Sequence, residues 1–480
     1  MDLSQSINDA VTFGMAGSVA DTVGPTVTVA DLPAPVGAIV EIDRDNRPAI
    51  EGEVVGFKDR KTVVFPLQPV SGVRRGARVR LVRTRRQLRV GAGLLGRVVN
   101  AHARCIDGRP HPMLSGRTPL ERASLPPTER PAIDTPLTTG VRAIDGLLAC
   151  GRGQRLGVFA GSGVGKSVLL GMMARETQAD VTVIGLVGER GREVNEFLEQ
   201  DLGPQGLARS VVVVATSDEP ALKRMHAAFT ATAIAEHFRD QGKDVLLLLD
   251  SLTRVALASR EIGLAAGEPP ATRGYPPSTF AMLPQLVERA GRTATGSITA
   301  YYSVLVEGDD PNEPIADAVR GLLDGHVWLS RTLASEGHYP AVDVLESLSR
   351  LMTRIATDEH QQAATAVRRL LAAYREQRDL IQIGAYRKGS SREVDAAIDL
   401  RDEINTFLRQ GIQQPAGESV AALVELGRRC LARLEAPPAA PAPAVAPAAG
   451  PSTAAVASAG TPIAPISAPS PIPGMTTPIA

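Results

Sequence analysis

Cysteine is scarce in this chain, with only Cys105, Cys150 and Cys430 among 480 residues. The three lie far apart and form no C-x-x-C pair, which argues against a disulfide framework or a zinc site and favours buried, inert thiols. Aromatic residues make up 3% of the chain and the formal net charge is zero. With few stacking platforms and no overall field, the chain is not expected to bind nucleic acid.

Long apolar runs are also missing, since no stretch approaches the roughly 18 residues that a membrane span needs. The first ten residues have neither the basic nor the apolar region of a signal peptide, so we expect a cytoplasmic protein. A length of 480 residues exceeds what one hydrophobic core organises, and 44% hydrophobic residues are enough to fill several. About two to four domains are therefore expected.

Short Val-rich segments do occur between residues 15 and 88, separated by turn residues. Their alternation predicts a small β-barrel or sandwich. Eight arginines follow within residues 74–89, with no acidic residue among them: Arg74, Arg75, Arg78, Arg80, Arg83, Arg85, Arg86 and Arg89. Three interpretations stay open for them, namely solvated surface side chains, a surface for subunit pairing and a basic pore lining.

Continuous apolar runs at 181–187, 211–215, 245–249 and 298–306 alternate with helical stretches. Apolarity without alternation is typical of strands buried on both faces, which predicts an α/β core with a mainly parallel sheet covered by helices. The turn- and proline-rich residues 91–140 are expected to connect the barrel to this core.

Helical periodicity at 358–378, 393–409 and 418–434 predicts a C-terminal helical domain. From residue 436 the chain holds 15 Ala and 12 Pro in 45 residues and no charge, a composition typical of a disordered tail. We predict four regions: 1–90 with a short N-terminal segment and the barrel, 91–345 with the connector and the core, 346–435 with the helices, and 436–480 with the tail.

A phosphate-binding loop is predicted at Ala160-Gly-Ser-Gly-Val-Gly-Lys-Ser167, between a strand-like run and a helix-forming stretch. Glycines let backbone N–H groups turn toward phosphates, and the helix N-terminus adds a favourable dipole. Lys166 can reach the β- and γ-phosphates of ATP, while Ser167 can ligate Mg²⁺. Ala160 stands where the motif usually has its first glycine. The candidate nucleotide-binding residues are Gly161, Ser162, Gly163, Val164, Gly165, Lys166, Ser167 and Val168.

Carboxylates suited to the same chemistry follow two of the predicted strands. Asp250 ends an apolar strand and is expected to hold Mg²⁺, which prefers carboxylates and water. Glu189 comes directly after the run 181–187, at the sheet edge where α/β folds bind ligands, and can polarise the attacking water. Glu193 either binds Mg²⁺ through water or pairs with Arg190 or Arg192, and a plain surface ion-pair cluster is the open alternative. Arg190 joins Lys166 and Glu189 as a catalytic candidate.

Several motifs in order along the chain carry a resemblance to a known family, among them Gly188-Glu-Arg-Gly-Arg-Glu193, Asp250-Ser-Leu-Thr-Arg254, Gly337-His-Tyr-Pro-Ala341 and Ser347-Leu-Ser-Arg350. They resemble the hexameric ATPases related to the catalytic subunits of rotary ATP synthases. Within that group the chain is most similar to the ATPase of type III protein export, above all the flagellar one, over roughly residues 15–435. The resemblance implies a RecA-like core.

The resemblance also implies roles for single residues. Glu189 matches the glutamate that activates the attacking water, and Arg350 matches the arginine finger that a neighbouring subunit receives. Tyr339 matches the aromatic residue that packs on adenine, with Phe407 as a second adenine contact. Because Lys166, Glu189 and Arg350 occur in one chain, the resemblance implies a homohexamer.

The implied partners are regulator and stalk proteins, the export gate and chaperone–substrate complexes, at the periphery of the inner-membrane export apparatus. One departure concerns the N-terminus, where about a dozen residues precede the barrel and family members have a longer helix for the regulator protein. Contact with that protein is therefore expected to be reduced or shifted.

Three classes of function stay open from the sequence. The first is an export ATPase, of a flagellar or an injectisome system, that releases chaperones and unfolds substrates. The second is an ATP synthase-type catalytic subunit, which needs a non-catalytic paralogue in its ring. The third is a hexameric nucleic-acid motor, which also joins a β-barrel to such a core. A motor barrel needs stacking aromatics, and residues 15–88 contain only Phe57 and Phe65.

Deleting residues 436–480 is expected to leave ATPase activity and assembly intact, because an uncharged Ala/Pro segment buries little surface. Limited proteolysis should trim the chain to about residue 435 before it cuts elsewhere. A truncated protein that loses activity or no longer assembles would show that the tail is structural.

Overall fold

The computed structural model describes residues 14–306, 308, 310 and 313–435. The predicted tail, 436–480, and residues 1–13 of the N-terminal segment lie outside the described residues. The strands are β1 (Ala16–Val23), β2 (Thr26–Ala30), β3 (Ile39–Arg44), β4 (Arg47–Lys58), β5 (Lys61–Pro66), β6 (Arg78–Arg83), β7 (Gln87–Val90), β8 (Arg97–Asn100), β9 (Gly116–Pro119), β10 (Pro136–Leu137), β11 (Cys150–Gly151), β12 (Arg155–Ala160), β13 (Val181–Glu189), β14 (Ser210–Thr216), β15 (Asp244–Asp250), β16 (Gly291–Arg292), β17 (Ser297–Leu305), β18 (Gly325–Leu329) and β19 (Val342–Ser349).

Helices are concentrated after the barrel. They are α1 (Arg142–Leu147), α2 (Lys166–Glu176), α3 (Gly191–Glu196), α4 (Gly203–Ala208), α5 (Ala221–Arg239), α6 (Leu252–Ala266), α7 (Pro277–Val287), α8 (Pro314–Leu322), α9 (Arg331–Ser335), α10 (Met352–Ile355), α11 (Asp358–Gln382), α12 (Arg392–Leu408) and α13 (Ser419–Glu435). A π-helical segment, Phe197–Leu202, joins α3 to α4. None of the helices in the described ranges is both long and apolar enough to cross a membrane.

The first six strands close into a barrel in the order β1-β2-β5-β4-β3-β6. Successive side chains alternate between inside and outside, so that Val40 and Ile42 of β3 are fully buried while Glu41 between them is partly exposed. The barrel predicted for the N-terminal part of the chain is confirmed.

The arginines of residues 74–89 find acidic partners on β3, β4 and the turn between these strands. Arg86 Nη2 lies 2.6 Å from Glu51 Oε1, and Arg74 Nε lies 2.9 Å from Asp45 Oδ1. Arg80 lies between Glu41 and Asp43. The remaining five are exposed and have no ion pair within the described part of the chain: Arg75, Arg78, Arg83, Arg85 and Arg89. A segment without acidic residues therefore still forms ion pairs, with partners that only the barrel brings near.

The central sheet has the strand order β19-β18-β12-β17-β15-β13-β14-β8, and β16 pairs with β17. Strands β18 to β8 along this order are parallel, whereas β19 runs antiparallel to β18. Alternate residues of β15 enter two different hydrophobic cores, with Leu246 and Leu248 on one face and Leu247 and Leu249 on the other. The mainly parallel sheet is confirmed, and its edge strand β8 comes from the segment expected to be a connector.

Helices α11, α12 and α13 form the C-terminal helical region. Buried Val367 of α11, Leu400 of α12 and Leu423 of α13 share one hydrophobic core with the sheet face that carries Leu246. The helical region is confirmed, and it packs on the side of the core that also carries α2.

Candidate active site

The phosphate loop fills the turn between β12, which ends at Ala160, and α2, which begins at Lys166. Gly163 and Gly165 have φ angles of 79° and 89°, a left-handed conformation that glycine adopts without strain. A cavity of about 360 Å³ opens beside the loop. The predicted nucleotide-binding residues lining it are Gly161, Ser162, Gly163, Gly165, Lys166, Ser167 and Val168, whereas the side chain of Val164 is buried.

Lys166 meets two carboxylates at the carboxyl edge of the sheet. Its Nζ atom forms an ion pair with Asp250 and lies 3.9 Å from Glu189 Oε1. Ser303 Oγ donates a hydrogen bond of 2.7 Å to Asp250 Oδ1. Glu189, Asp250 and Ser303 belong to β13, β15 and β17, and Lys166 begins α2 after the loop that follows β12. These four strands lie side by side and parallel, so their carboxyl ends meet. The sequence prediction that Lys166, Glu189 and Asp250 lie together at one edge agrees with this geometry.

Glu189 is mostly buried, with 13% of its side chain exposed. Burial, together with the neighbouring Asp250 carboxylate, raises the pKa of Glu189 to about 7, against the opposing positive charges of Lys166 and Arg254. Arg254 Nη2 lies 3.6 Å from Glu189 Oε2, and its Nη1 donates a hydrogen bond of 2.7 Å to the Gly188 carbonyl. Glu189 therefore titrates near neutral pH, as suits a group that accepts a proton from water.

Of the other charged residues in the 188–193 segment, one lines the cavity and two are exposed to solvent. Glu193 lines the cavity, and a hydrogen bond with Glu189 lowers the pKa of Glu193. Arg190 points into solvent with 79% of its side chain exposed, 3.6 Å from Glu193, and Arg192 pairs with Glu196. In the structure Arg190 and Arg192 thus form surface ion pairs, as the open alternative predicted. A catalytic role of Arg190 stays a prediction.

Tyr339 presents its ring next to the phosphate loop. The ring lies 3.6 Å from the position that a Cβ on Gly165 would occupy, and the residue is 46% exposed. Gln410 holds this residue in place, because its backbone N–H donates to the Tyr339 carbonyl at 2.9 Å and its side chain bonds to Gly140 and Arg142. An aromatic face is thus available beside the phosphate loop, and the role of Tyr339 in packing on adenine stays a prediction.

Phe407 occupies a different environment. It is 7% exposed and belongs to the helical core, where its ring lies against Gly146. Its role as an adenine contact stays a prediction. Ile412, in the turn that follows, is 50% exposed, and its carbonyl accepts a hydrogen bond of 2.5 Å from Arg175 at the end of α2.

Arg350 lies at the opposite edge of the sheet, because it follows β19 and β19 runs antiparallel to its neighbours. Its N–H donates to the Asp324 carbonyl, and the Asp324 N–H donates to the carbonyl of Arg155 at the start of β12. The six residues of β12 separate this point from the phosphate loop, a distance of roughly 17–20 Å. Arg350 therefore cannot reach the loop of its own chain.

Sequence similarity assigns the chain to a family. The nucleotide-binding domain of the ATP synthase alpha/beta family matches residues 140–349, and the T3SS EscN ATPase C-terminal domain matches residues 356–425. The flagellum-specific ATP synthase of Bacillus subtilis (strain 168) is 51% identical over 414 residues, which cover 85% of this chain and 93% of that protein. This chain belongs to the flagellar and type III secretion ATPases.

Members from both kinds of system are similar to this ATPase. The type 3 secretion system ATPase of Xanthomonas euvesicatoria is 50% identical over 399 residues, 83% of this chain and 90% of that protein. The solved structure of the assembled ATPase EscN from the enteropathogenic E. coli type III secretion system matches with a TM-score of 0.80 and 44% identity. The match covers 86% of this chain and 100% of the EscN chain. The resemblance inferred from the motifs and the predicted fold class are both confirmed.

Three residues of this export-ATPase site were not assigned from the sequence. Arg254 follows Asp250 by four residues, inside a motif on which the resemblance rests, so that motif could have indicated Arg254 as a site residue. Ser303 and Gln410 lie 53 and 71 positions from the residues they contact, Asp250 and Tyr339. No local pattern marks either contact.

ATP hydrolysis is expected to slow as the pH falls through about 7, because Glu189 accepts a proton only as a carboxylate and its pKa is raised to about 7. The pH dependence of kcat/KM measures this. Arg254→Gln removes a positive charge beside Glu189 and should move the acidic limb to higher pH. A profile that stays flat down to about pH 5 would give Glu189 an ordinary carboxyl pKa and contradict the prediction.

Proposed function

We propose that this chain hydrolyses ATP as a homohexameric ring and that the hydrolysis powers type III protein export, in the flagellar system. One observation carries the proposal: the phosphate loop, Lys166, Glu189 and Asp250 lie at one edge of the sheet, and Arg350 lies at the other. A ring in which each subunit lends Arg350 to its neighbour would complete every site from one kind of polypeptide.

The geometry supports a direct attack of water on ATP. Lys166 and the loop N–H groups hold the β- and γ-phosphates, and Glu189 accepts a proton from the attacking water. The new P–O bond forms on the γ-phosphorus as its bond to ADP breaks. Arg350 of the neighbouring subunit would then stabilise the negative charge spreading over the γ-phosphoryl oxygens, and Tyr339 would pack on adenine.

The donor set fits Mg²⁺ bound together with nucleotide. Ser167, at the start of α2, and the buried Asp250 carboxylate would ligate the ion, and Glu193 would reach it through water. Mg²⁺ keeps water and phosphate oxygens as most of its ligands at such sites and neutralises charge on the phosphates.

The proposed partners follow from the relatives. EscN has also been solved in complex with its central stalk EscO, and that structure matches this chain with 43% identity and a TM-score of 0.80. We propose that this chain likewise contacts a stalk protein. The regulator protein, the export gate and chaperone–substrate complexes are the further partners that the family resemblance implies. The place of action would be the cytoplasmic periphery of the inner-membrane export apparatus.

The purified chain alone should hydrolyse ATP in the presence of Mg²⁺, with specific activity that rises with protein concentration as rings form. Removing Mg²⁺ with a chelator should abolish turnover. Rings that stay inactive until a second polypeptide is added would instead favour an ATP synthase-type catalytic subunit. The identity of the neighbouring genes separates a flagellar from an injectisome system, since injectisome ATPases are about as similar to this chain.

A further inference from the structure

A second cavity lies away from the phosphate loop, between β19 and the helices α11 and α12. Its volume is about 150 Å³. Much of its wall is apolar, with Leu345 from β19, Leu371 from α11 and Leu408 from α12. A cavity of this size accepts a ligand about as large as benzene.

Two polar side chains of this wall make no hydrogen bond to another described residue. His338 is 5% exposed, and its buried Nε2 atom has no hydrogen-bond partner among the described residues. Burial, together with nearby Arg409, holds the pKa of His338 below its usual range, so the ring is uncharged at neutral pH. The side-chain amide of Asn405 also lines the cavity and makes no hydrogen bond to the described part of the chain. A buried ring nitrogen without a partner is costly unless a ligand supplies one.

The four arginines around the cavity fall into two kinds. Arg375 pairs with Asp343 and Glu346, and Arg378 pairs with Glu336. Arg401 and Arg409 have no acidic partner within the described ranges, and Arg401 instead lies over the ring of Tyr374, 4.5 Å from its centre. Two arginines with no acidic partner among the described residues thus stand at the rim of an apolar cavity.

We propose that this cavity binds a small carboxylate with an apolar ring or branched chain. Its apolar body would lie against Leu345, Leu371 and Leu408, and its carboxylate would meet Arg401 and Arg409, with His338 and Asn405 as hydrogen-bonding partners. Inorganic phosphate would match the charge and leave the apolar wall uncovered. His338 precedes Tyr339, so the occupant lies next to the residue proposed to pack on adenine.

Binding of benzoate and phenylacetate to the full chain, measured by calorimetry and ligand-observed NMR, tests the proposal. Benzyl alcohol has the ring without the charge, and inorganic phosphate has the charge without the ring. Each control should bind at least about tenfold more weakly than benzoate, since each loses one half of the interaction. Equal affinity for benzoate and benzyl alcohol, or no binding of either carboxylate, would overturn the proposal without any variant being needed.

Variants then locate the site. Arg401→Gln combined with Arg409→Gln should weaken benzoate binding at least about tenfold. Leu371→Trp should block it by filling the cavity. The matched control is Arg428→Gln on α13, which removes an exposed arginine of the same helical region that pairs with Glu359 and Glu425. If benzoate binds the double variant as tightly as the wild type, it binds elsewhere, and the cavity is not its site. The measurement reports binding alone, so it is independent of whether the chain hydrolyses ATP.

Discussion

Arg350→Ala is expected to lower ATP turnover by roughly 10³-fold or more while leaving ATP binding by single subunits nearly unchanged. Arg350 lies at the sheet edge opposite the phosphate loop, so the side chain can act only on the nucleotide of a neighbour. Turnover of assembled rings and nucleotide binding under dissociating conditions are the two measurements. Arg354→Ala, a few residues further on and also exposed, is the matched control and should stay close to wild type.

Mixing defective subunits gives the sharper form of this test. Arg350→Ala subunits retain Lys166 and Glu189, and Lys166→Ala subunits retain the finger, so a mixed ring contains some complete sites. Hydrolysis should return on mixing, although neither variant is active alone. No recovery in rings shown to be mixed would contradict the shared site, as would a monomer that hydrolyses ATP at the full rate. An arginine that only stabilised its own subunit would lower stability and give no complementation.

Glu189→Gln is expected to reduce turnover by about 10² or more with ATP affinity near wild type. The amide keeps the shape of the side chain and cannot accept a proton from water. Lys166→Ala should abolish turnover by another route, because it removes phosphate binding, and a nucleotide-binding assay separates the two variants.

A matched control for Glu189→Gln is Glu196→Gln, which changes an exposed carboxylate that pairs with Arg192 on the helix that follows. Its turnover should stay near wild type. If Glu189→Gln keeps more than about a tenth of wild-type turnover, Glu189 is not the residue that activates water.

Local patterns predicted the elements of this fold well. The runs 181–187, 211–215, 245–249 and 298–306 each lie within, or within one residue of, a strand of the sheet, and the three C-terminal helices begin and end within a few residues of the predicted stretches. Strand β8 was missed because four residues at a sheet edge carry too short an apolar signal to stand out from a turn-rich connector.

The sequence by itself determined the phosphate loop, the strand-end positions of Glu189 and Asp250 and the order of the barrel, the α/β core and the helical region, because each follows from residues close together in the chain. Only the tertiary structure decided which side chains share an environment. It buried Phe407 in the helical core, left Tyr339 beside Gly165, and set Ser303 beside Asp250 and Arg254 beside Glu189. It also placed Arg350 out of reach of its own loop, since the direction of β19 in the sheet depends on long-range pairing with β18. Such pairing joins residues far apart in the chain, and no local period or motif encodes it.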